Sequence, residues 1–571
     1  MELKPEQKSY LKAQVLIETL VYSGVKNFCL SPGFRNSTIT LFLNNLQKQN
    51  SKINIFTHID ERGAAFFALG LAKKNKIPAA IICTSGTALA NFHPAVLEAA
   101  YSYTPLIVIS ADRPSELTHV GANQSMNQKH FFAEALRFEA HIEAETTSKH
   151  VEYQTAKAYS YSTSETPGPV HLNIAFSDPF LPTLADIIDL PSFTPTVQFE
   201  KTRSEFTKES LQKISAIISQ AKRPLFVLGP NTLTQSELNS LTQLAEHLSI
   251  PLFVEKSSSA PFSCESSLLC SHFDLFLREE KFTQNHTPDL IFRIGPALSS
   301  KVFNEWIEKI NCPQIILDYP YAGRNPNYTP SIFISGDKQM WFSSLKEKTS
   351  IFKRTEWALS LLQKENETAL KLTHYLSAQN CFSEWKLHHE LVKGLPEKCQ
   401  IFLGNSMAIR DFDSCAQTLQ KDITVFSNRG LSGIDGIIST AIGVALENPT
   451  TPTLLLIGDL SAIHDLSSLS LLNRLSKDLP FSLGIMNNHG GEIFRIIKTS
   501  EHAEHEKLFT TPQNINFEKI AQAFNLPFER INNVKDFNEF KLSNGPKIFE
   551  FAIDESQNTL TRKSFWKQLQ N

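Results

Sequence analysis

The sequence has no excess of basic residues, since 55 Lys plus Arg stand against 58 Asp plus Glu, and the formal net charge is −3. Nucleic-acid binding and attachment to anionic membranes both need a basic face, so we expect neither function. No apolar run approaches the roughly 18 residues of a membrane-spanning helix, and the polar N-terminus has no apolar signal core. We therefore expect a cytoplasmic protein without a membrane segment.

Cysteine is also scarce, and its eight residues are scattered along the chain. They form no C-x-x-C pair, so the sequence indicates neither a zinc knuckle nor a disulfide framework. A G-x-G-x-x-G fingerprint and a P-loop Gly-Lys-Ser/Thr are missing too. Their absence disfavours a simple nucleotide-binding α/β protein.

What the 571 residues do contain is a repeated pattern of short apolar runs, each ending in Gly, Asn, Asp, Ser or Pro and usually followed by a helix-like segment. Unbroken apolar strands that alternate with amphipathic helices predict parallel sheets covered on both faces. The length is too great for one core, and two to four domains are expected. The predicted fold class is therefore α/β, with doubly wound domains and mainly parallel sheets.

The apolar runs fall into three clusters, which predict domains at residues 1–185, 200–352 and 370–571. A proline-rich, helix-poor stretch at 181–199 is the predicted linker between the first two. A charge-rich, helix-like segment at 357–377 leads into the third. The first and third clusters have similar lengths, so they are candidates for structurally related halves.

The strongest local motif runs from the Gly-Asp at Asp459 to the N-N-x-G-G sequence around Asn488. Ligands of doubly wound sheets bind beyond the carboxyl ends of the strands. The Asp459 carboxylate, the Asn488 amide oxygen and the backbone carbonyl of Gly490 should converge there, and such hard oxygen donors suit Mg²⁺ bound to a diphosphate. Small residues, among them Ser461 and Ala462, let backbone N–H groups approach phosphate. Alone, Asp459 could simply cap a helix and Asn-Asn-His-Gly could simply form a turn.

This span resembles the diphosphate and metal signature of thiamine-diphosphate enzymes, and the resemblance implies a glutamate partner in another α/β domain. Glu61 follows an apolar run and opens a helix-like segment, E-R-G-A-A-F-F-A-L-G-L. By resemblance, its carboxyl group hydrogen-bonds the aminopyrimidine ring and promotes loss of the thiazolium proton. By itself, an acidic first-turn residue would more simply complement the helix dipole.

Four arginines also follow predicted strand ends. They are Arg35, Arg113, Arg410 and Arg429, accompanied by Gln124 and Ser406. A single arginine of this kind usually makes a surface ion pair, but guanidinium groups bind carboxylates bidentately. Together the four predict a substrate that carries several carboxylates.

The motifs SPGFR, HIDERGAAFFALGLAK, TSGTALANFHPAVLEA, NRGLSGIDG, GDLSAIHDL and NN-x-GGEIF occur in this order. Together they resemble the 2-succinyl-5-enolpyruvyl-6-hydroxy-3-cyclohexene-1-carboxylate synthase family of menaquinone biosynthesis. The likeness covers the first and third predicted domains well and the middle one weakly, chiefly through RIG-x-x-x-SSK. It implies a thiamine-diphosphate-binding fold, with the aminopyrimidine on the first domain and the diphosphate and metal on the third.

The resemblance also implies the reaction and the assembly. Decarboxylation of 2-oxoglutarate would leave a succinyl carbanion equivalent, which adds conjugately to isochorismate with Mg²⁺ or Mn²⁺ as the metal. Both substrates are di-acids, which agrees with the arginines. The cofactor of this family lies between the first domain of one subunit and the third domain of its partner, which implies a homodimer or a dimer of dimers.

Four more residues take roles from the resemblance alone. Ile434 would support the bent cofactor, Ile493 and Phe494 would line the substrate pocket, and Lys301 would reach in from the middle domain. Arg410 would serve 2-oxoglutarate, and Arg35 and Arg113 would serve isochorismate. The chain departs from the usual pattern at three positions, which are Phe34, Val302 and Glu492.

Two alternatives remain open at this point. Another carboligase, such as an acetohydroxyacid synthase, would act on smaller substrates with one carboxylate, for which four pocket arginines are excessive. A non-catalytic cofactor-binding relative would be expected to lack Glu61 or a metal ligand, and both are present.

Overall fold

The computed structural model describes residues 3–183, 193–200, 205–230, 233–351 and 355–570. Part of the predicted linker, 184–192, lies outside the described residues. The chain forms two compact units. Unit 1 comprises Met1–Thr202, Asn428–Pro449 and Ile463–Leu479, and unit 2 comprises Arg203–Ser427, Thr450–Ala462 and Pro480–Asn571. The three domain boundaries drawn from the sequence stay a prediction.

Unit 1 contains one six-stranded sheet in which every strand pairing is parallel. Its strands are β1 (Asn27–Leu30), β2 (Asn54–Thr57), β3 (Ala79–Cys83), β4 (Leu106–Asp112), β5 (Phe138–Ile142) and β6 (Pro169–Ala175). The strand order is β2-β1-β3-β4-β6-β5. Strands β3, β4 and β6 are buried along their whole length, as unbroken apolar runs predict for a sheet covered on both faces.

Unit 2 contains two more parallel sheets. The first has strands β7 (Pro224–Leu228), β8 (Leu252–Val254), β9 (Leu269–Cys270), β10 (Leu290–Ile294), β11 (Gln314–Leu317) and β12 (Ser331–Ile334), in the order β12-β11-β10-β7-β8-β9. The second has strands β13 (Lys398–Leu403), β14 (Asp422–Ser427), β15 (Thr453–Gly458), β16 (Phe481–Asn487), β17 (Phe528–Ile531) and β18 (Lys547–Ala552), in the order β14-β13-β15-β16-β18-β17. Three parallel six-stranded sheets confirm the predicted fold class.

The first and third sheets share one topology. Numbered within its own sheet, each runs 2-1-3-4-6-5, whereas the middle sheet runs 3-2-1-4-5-6. The chain reverses its winding direction between strands 1 and 3 of the shared topology, and such a reversal point is where doubly wound sheets bind ligands. In the third sheet this point lies between β13 and β15.

Helices connect the strands in both units. Among the described residues of unit 1, the α-helices are Pro5–Ser23, Ser37–Gln49, Glu61–Asn75, Thr87–Asn91, His93–Tyr101, Ser148–Ser162, Ile437–Leu446 and Leu469–Leu472. Those of unit 2 are Lys208–Gln220, Gln235–Leu248, Ala260–Ser263, Phe273–Phe276, Glu280–Asn285, Lys301–Ile310, Lys338–Lys348, Glu356–Ser377, Glu384–Gly394, Met407–Cys415, Ile493–Ile496, Phe517–Ala523, Val534–Asn538 and Glu555–Gln570. The short helix Asp459–His464 begins in unit 2. The predicted helical segment 357–377 is confirmed. Nowhere in the described ranges is a helix both long and apolar enough to cross a membrane.

The helix Glu61–Asn75 illustrates how local sequence sets an element. Asp60 accepts hydrogen bonds from the backbone N–H groups of Arg62 (3.0 Å) and Gly63 (3.4 Å), which caps the first turn. Lys76 ends the helix in the left-handed conformation, with φ 57°. The small and apolar residues from Gly63 to Ala72 are buried, and this packing fixes the helix whose first residue is Glu61.

Candidate active site

Asp459 lies directly after β15, at the reversal point of the third sheet. Its side chain is 2% exposed, and its Oδ2 accepts a hydrogen bond from the N–H of Gly490 (2.8 Å). Burial raises the pKa of the Asp459 carboxyl to about 7, although hydrogen bonds from the N–H groups of Leu460 and Gly490 oppose the shift. A cation beside this group would offset the cost of its buried charge.

Asn488 follows β16, the strand next to β15, and its amide is held in one orientation. Its Nδ2 donates to Glu384 Oε1 (2.7 Å), so its Oδ1 points away from that carboxylate. Among the described residues, Asn488 Oδ1 is one of the buried oxygen atoms that have no hydrogen-bond partner. A buried acceptor without a donor costs about 1–3 kcal/mol unless something else satisfies it.

This arrangement fits a divalent metal with a diphosphate. It offers one buried carboxylate, one unsatisfied amide oxygen and a Gly490 backbone with φ 138°. A Cβ at Gly490 would come within 2.5 Å of the Thr510 carbonyl oxygen, so only glycine allows that approach. Ser461 and Ala462 are buried in the first turn of the helix that begins at Asp459.

Ser406 and Arg410 lie after β13, on the other side of the reversal point. Ser406 has φ 65° and precedes the helix Met407–Cys415, so it is a non-glycine residue in a strained conformation. Arg410 Nη1 donates to the Ser406 carbonyl oxygen (2.6 Å), but Ser406 precedes the helix, so a shared helical face for the two side chains stays a prediction. Strain of this kind is often found at functional sites.

A cavity of about 700 Å³ in unit 2 brings three of the sequence-predicted residues together. Arg410, Lys301 and Ile493 line it, with Arg278 and Lys498 as further cations. Its acidic wall residues already accept hydrogen bonds: Glu255 from Ser300 N, Asp274 from Ser300 Oγ, Asp411 from Trp385 Nε1, and Asp413 from Ser257 N. A fifth acidic residue of the wall, Glu305, lies 3.4 Å from Lys301, and Arg278 pairs with Asp274 (3.0 Å), so part of the cationic charge is already compensated within the cavity.

The other family-derived residues of unit 2 have more varied positions. Lys301 is 81% exposed and lies 3.4 Å from Glu305, while Val302 packs against the core of the middle sheet. Phe494 does not line the cavity, since its ring packs 5.9 Å from Phe509. Val302 therefore contributes an apolar contact to both the core and the cavity wall at the position of the departure.

The Glu492 departure also has a structural reason. Its carboxylate is buried and accepts hydrogen bonds from Arg562 Nη1 (2.7 Å) and Thr559 Oγ1 (2.6 Å). Arg495 Nη1 lies 3.2 Å from its other oxygen. A neutral glutamine would leave these guanidinium groups with less compensating charge.

In unit 1, Arg35, Arg113 and Gln124 lie around the end of β3. Arg113 Nη1 donates to Ser85 Oγ (2.5 Å) and to the Gln124 carbonyl oxygen (2.6 Å). Gln124 Nε2 donates to the Ser85 carbonyl oxygen (2.9 Å). Burial and the nearby Arg35 both lower the pKa of Arg113, so two guanidinium groups lie close together here. Arg35 also forms an ion pair with Asp178 (3.3 Å), so the positive charge of the two groups is partly compensated within the protein.

Arg35 is nearly buried after β1. Its Nη1 donates to the Phe176 carbonyl oxygen (3.0 Å), and its guanidinium lies over the Phe180 ring at 4.6 Å. Phe34, the third departure, packs its exposed ring 4.9 Å from the same Phe180. The larger side chain at position 34 therefore extends an aromatic contact next to Arg35.

Glu61 is the first residue of its helix, as the sequence predicts. Its Oε2 accepts a hydrogen bond from Asn91 Nδ2 (3.3 Å), and the side chain remains partly accessible. This one long hydrogen bond leaves the second carboxylate oxygen available for a ligand.

Arg429 and Ile434 lie in the loop after β14. This loop belongs to unit 1, whereas β14 belongs to unit 2. Buried Glu98 anchors this loop by accepting from Gly430 N (2.9 Å) and Leu431 N (2.7 Å). Ile434 is 38% exposed although it is apolar, so it is available to pack under a ligand.

Sequence reasoning missed the residues that support these groups. Glu384 orients Asn488, and fully buried Arg562 donates to Glu384 and Asp411. Burial alone would lower the pKa of Arg562, but Asp411 and Glu384 raise it above its ordinary value. No local pattern marks these residues, because Glu384 and Asn488 are 104 positions apart.

Two family models and several known proteins match this chain. A family model of the thiamine pyrophosphate enzyme N-terminal TPP binding domain matches residues 12–131, and one of the C-terminal TPP binding domain matches residues 414–541. The 2-succinyl-5-enolpyruvyl-6-hydroxy-3-cyclohexene-1-carboxylate synthase of Bacillus pumilus is 32% identical, over 92% of this chain and 90% of its own length. The synthases of Lysinibacillus sphaericus (32%, 97% of each chain) and Haloarcula marismortui (31%, 98% of each) are similar as well. The chain therefore belongs to the 2-succinyl-5-enolpyruvyl-6-hydroxy-3-cyclohexene-1-carboxylate synthase family of thiamine-diphosphate enzymes.

Proposed function

We propose that this chain decarboxylates 2-oxoglutarate and adds the succinyl unit to isochorismate, giving 2-succinyl-5-enolpyruvyl-6-hydroxy-3-cyclohexene-1-carboxylate and CO₂ for menaquinone biosynthesis. Thiamine diphosphate is the cofactor, with a divalent metal such as Mg²⁺. The observation that carries the substrate assignment is the cavity of about 700 Å³, whose lining includes Arg410, Lys301 and Ile493. Its cations suit the carboxylates of a di-acid, and its apolar wall suits the carbon chain.

The metal assignment rests on the strand ends of the third sheet. Asp459, the Oδ1 of Asn488 and the carbonyl of Gly490 would hold Mg²⁺ or Mn²⁺, and the N–H groups near Ser461 and Ala462 would contact the diphosphate. The unsatisfied Asn488 oxygen supports this set, because a metal would supply its missing partner.

Glu61 and Ile434 are assigned to the organic part of the cofactor. When bound, thiamine diphosphate supplies the nucleophilic carbon and accepts the electron pair left by CO₂. Glu61 would hold a proton against the aminopyrimidine ring nitrogen, and Ile434 would support the bent cofactor from below. The exposed position of Ile434 supports its part in this proposal.

The carboxylates of the two substrates are assigned to different groups of residues. Arg410, with Ser406, is proposed to bind 2-oxoglutarate. Arg35, Arg113 and Gln124 are proposed to bind isochorismate, which the clustering of these side chains around Ser85 supports. The remaining proposed substrate contacts are Arg429, Lys301, Ile493 and Phe494.

The functional unit is proposed to be a homodimer or a dimer of dimers, located in the cytoplasm. In this proposal one subunit contributes Glu61 and its partner contributes the Asp459 loop to each shared site. The proposed domains, 1–185, 200–352 and 370–571, correspond to the aminopyrimidine-binding, middle and diphosphate-binding parts. Limited proteolysis that cleaves preferentially between these ranges would support the boundaries.

A coupled assay tests the reaction. The purified chain with thiamine diphosphate, Mg²⁺, 2-oxoglutarate and isochorismate should form the six-membered-ring product and CO₂, and removal of isochorismate should stop product formation. Pyruvate serves as the matched control substrate, because it is a 2-oxo acid with only one carboxylate. Decarboxylation of pyruvate in preference to 2-oxoglutarate would instead favour the acetohydroxyacid synthase alternative.

A further inference from the structure

A second cluster of possible metal ligands lies in unit 1, among residues that the proposed reaction does not use. It consists of His130, Glu139 and His141, whose ligand atoms all lie within 4.8 Å of one another. His130 Nδ1 lies 2.9 Å from Glu139 Oε2, and His141 Nε2 lies 3.5 Å from the same oxygen. Ligands around tetrahedral Zn²⁺, at about 2.0–2.1 Å from the ion, are about 3.4 Å apart, so the 3.5 Å spacing matches directly and the 2.9 Å spacing requires His130 and Glu139 to separate by about 0.5 Å.

The backbone explains why the three side chains meet. Glu139 and His141 are two positions apart on β5, the edge strand of the sheet, so they lie on the same face. His130 belongs to the segment between β4 and β5, and its φ of 59° turns it toward that strand. Its N–H donates to both Glu139 oxygens, at 3.1 and 3.2 Å.

Charge and hydrogen bonding prepare the cluster for a cation. The Glu139 carboxylate is surrounded by nitrogen atoms, since the rings of His130, His141 and His171 and the backbone N–H of His130 all lie within 3.5 Å of it. Buried His171 hydrogen-bonds Glu139 Oε1 through Nδ1 (3.0 Å), as outer partners of metal-binding carboxylates commonly do. Within the described residues, both ring nitrogens of His141 are buried without a hydrogen-bond partner.

We propose that His130, Glu139 and His141 form a binding site for a transition metal of the Zn²⁺ class, separate from the Mg²⁺ site. Two imidazoles and one carboxylate match the ligand preference of Zn²⁺, whereas Mg²⁺ prefers an all-oxygen set. His130 is 85% exposed, so the site is open to solvent and leaves room for a water ligand. The bound ion ties the segment after β4, which carries Arg113 and Gln124, to the edge of the sheet.

The test uses the full chain loaded with thiamine diphosphate and excess Mg²⁺, so that the catalytic metal site is filled. Zn²⁺ is titrated into this protein and into its His130→Ala variant. The unaltered chain should bind one more equivalent of Zn²⁺ per chain than the variant does. Co²⁺, used as a spectroscopic probe, should develop the intense visible bands of a low-coordinate imidazole site. Both signals should persist when Asp459 is changed to Ala, since the two sites are separate.

The variants locate the site. His130→Ala and Glu139→Gln should weaken Zn²⁺ binding by at least about 100-fold, beyond the effect usual for an outer partner. His150→Ala is the matched control, an exposed histidine of the same unit, and should bind Zn²⁺ like the unaltered chain. The proposal would be overturned if His130→Ala bound Zn²⁺ as tightly as the unaltered chain. It would also be overturned if the unaltered chain bound no Zn²⁺ in the presence of excess Mg²⁺.

Hydrogen exchange tests the effect on the segment. Zn²⁺ should slow amide exchange across residues 113–137 in the unaltered chain and leave it unchanged in His130→Ala. Binding without any change in exchange would refute the tethering role. These readouts do not involve turnover, so their failure would leave the proposed reaction untouched.

Discussion

At the scale of single residues, the fixed orientation of the Asn488 amide is central to the proposed metal site. An amide can present either its NH₂ or its oxygen, and Glu384 selects the oxygen by accepting from the NH₂. Arg562 in turn compensates the buried charge of Glu384. The orientation of the proposed ligand Asn488 thus depends on Glu384, and the charge of Glu384 depends on Arg562. Neither of these two is itself a proposed ligand.

We predict that Glu384→Gln weakens Mg²⁺-dependent binding of thiamine diphosphate by about 10- to 100-fold, because the Asn488 amide is then free to turn. Calorimetry at several Mg²⁺ concentrations would measure this. Glu390→Gln is the matched control, since Glu390 is on the same helix but pairs with Lys393. Unchanged affinity in a folded Glu384→Gln protein would show that Asn488 needs no such partner.

The arginines give a second prediction at this scale. Arg410→Ala should reduce decarboxylation of 2-oxoglutarate, and Arg113→Ala should reduce addition to isochorismate while leaving decarboxylation intact. Loss of one charge-assisted contact should cost about 2–4 kcal/mol, or about 30- to 1,000-fold in kcat/KM. The two half-reactions are measured separately. If both variants stay within about threefold of the unaltered chain in both steps, the di-acid pocket is wrong.

At the scale of elements, two helices of unit 1 pack unusually closely. They are Glu61–Asn75 and Ile437–Leu446, and their glycines Gly70 and Gly443 face each other. A Cβ on Gly443 would come 2.3 Å from the Phe67 carbonyl oxygen. The position of Glu61 therefore depends on a second helix nearly 400 residues away in sequence.

We predict that Gly443→Ala destabilises the protein by about 1–3 kcal/mol, because the helices must move apart. This reverses the ordinary effect, since alanine favours a helix over glycine by about 1 kcal/mol. Gly394→Ala is the matched control, because its nearest neighbour, the Phe540 carbonyl oxygen, is 3.8 Å from the added Cβ. Urea midpoints would measure both, and a stabilised Gly443→Ala protein would contradict the packing.

Buried His388, on the helix Glu384–Gly394, predicts an acid-sensitive element. Burial, with a smaller contribution from Arg562, lowers the pKa of His388 to about 4. The unfolded chain therefore binds a proton from about pH 6.5 downward while the folded chain does not, so stability falls as the pH drops from about 6.5 to 4. This histidine alone should cost about 2 kcal/mol between pH 7 and pH 5.

His388→Leu should remove that part of the acid sensitivity. The measurement compares urea midpoints at pH 7 and pH 5 in the unaltered chain, in His388→Leu and in His374→Leu, whose histidine is exposed. The midpoint should fall less in His388→Leu than in the other two. Equal falls in all three would show that His388 does not govern the acid response.

The strand ends that carry Asp459, Asn488 and Arg113 were predictable, because a parallel sheet directs the ends of its strands to one edge and the apolar runs mark those ends. Glu384 and Arg562 were not, since they act through contacts between distant parts of the chain. The role of Phe494 stays a prediction from resemblance, since its ring packs on Phe509 and does not line the large cavity. The close approach of Gly443 to Phe67 likewise has no local sequence signal.

At the scale of the whole molecule, Glu61 belongs to unit 1 and Asp459 to unit 2. If each active site is shared by two subunits, two different inactive chains should rescue each other. A purified heterodimer of Glu61→Gln and Asp459→Ala subunits should retain about half of the unaltered activity, since one of its two sites is intact. A fully active monomer in light scattering would contradict the shared site.

The helix Ile437–Leu446 of unit 1 lies in the sequence between β14 and β15, two strands of the third sheet. This order has a consequence for biosynthesis. The ribosome completes the first sheet at Ala175, long before it reaches that helix, and at about 5–20 residues per second the roughly 260 intervening residues take on the order of 10 to 50 s. Throughout this time the nascent chain exposes the glycine- and alanine-rich face of Glu61–Asn75. A chaperone that binds small apolar surfaces would find its target there, and only during translation.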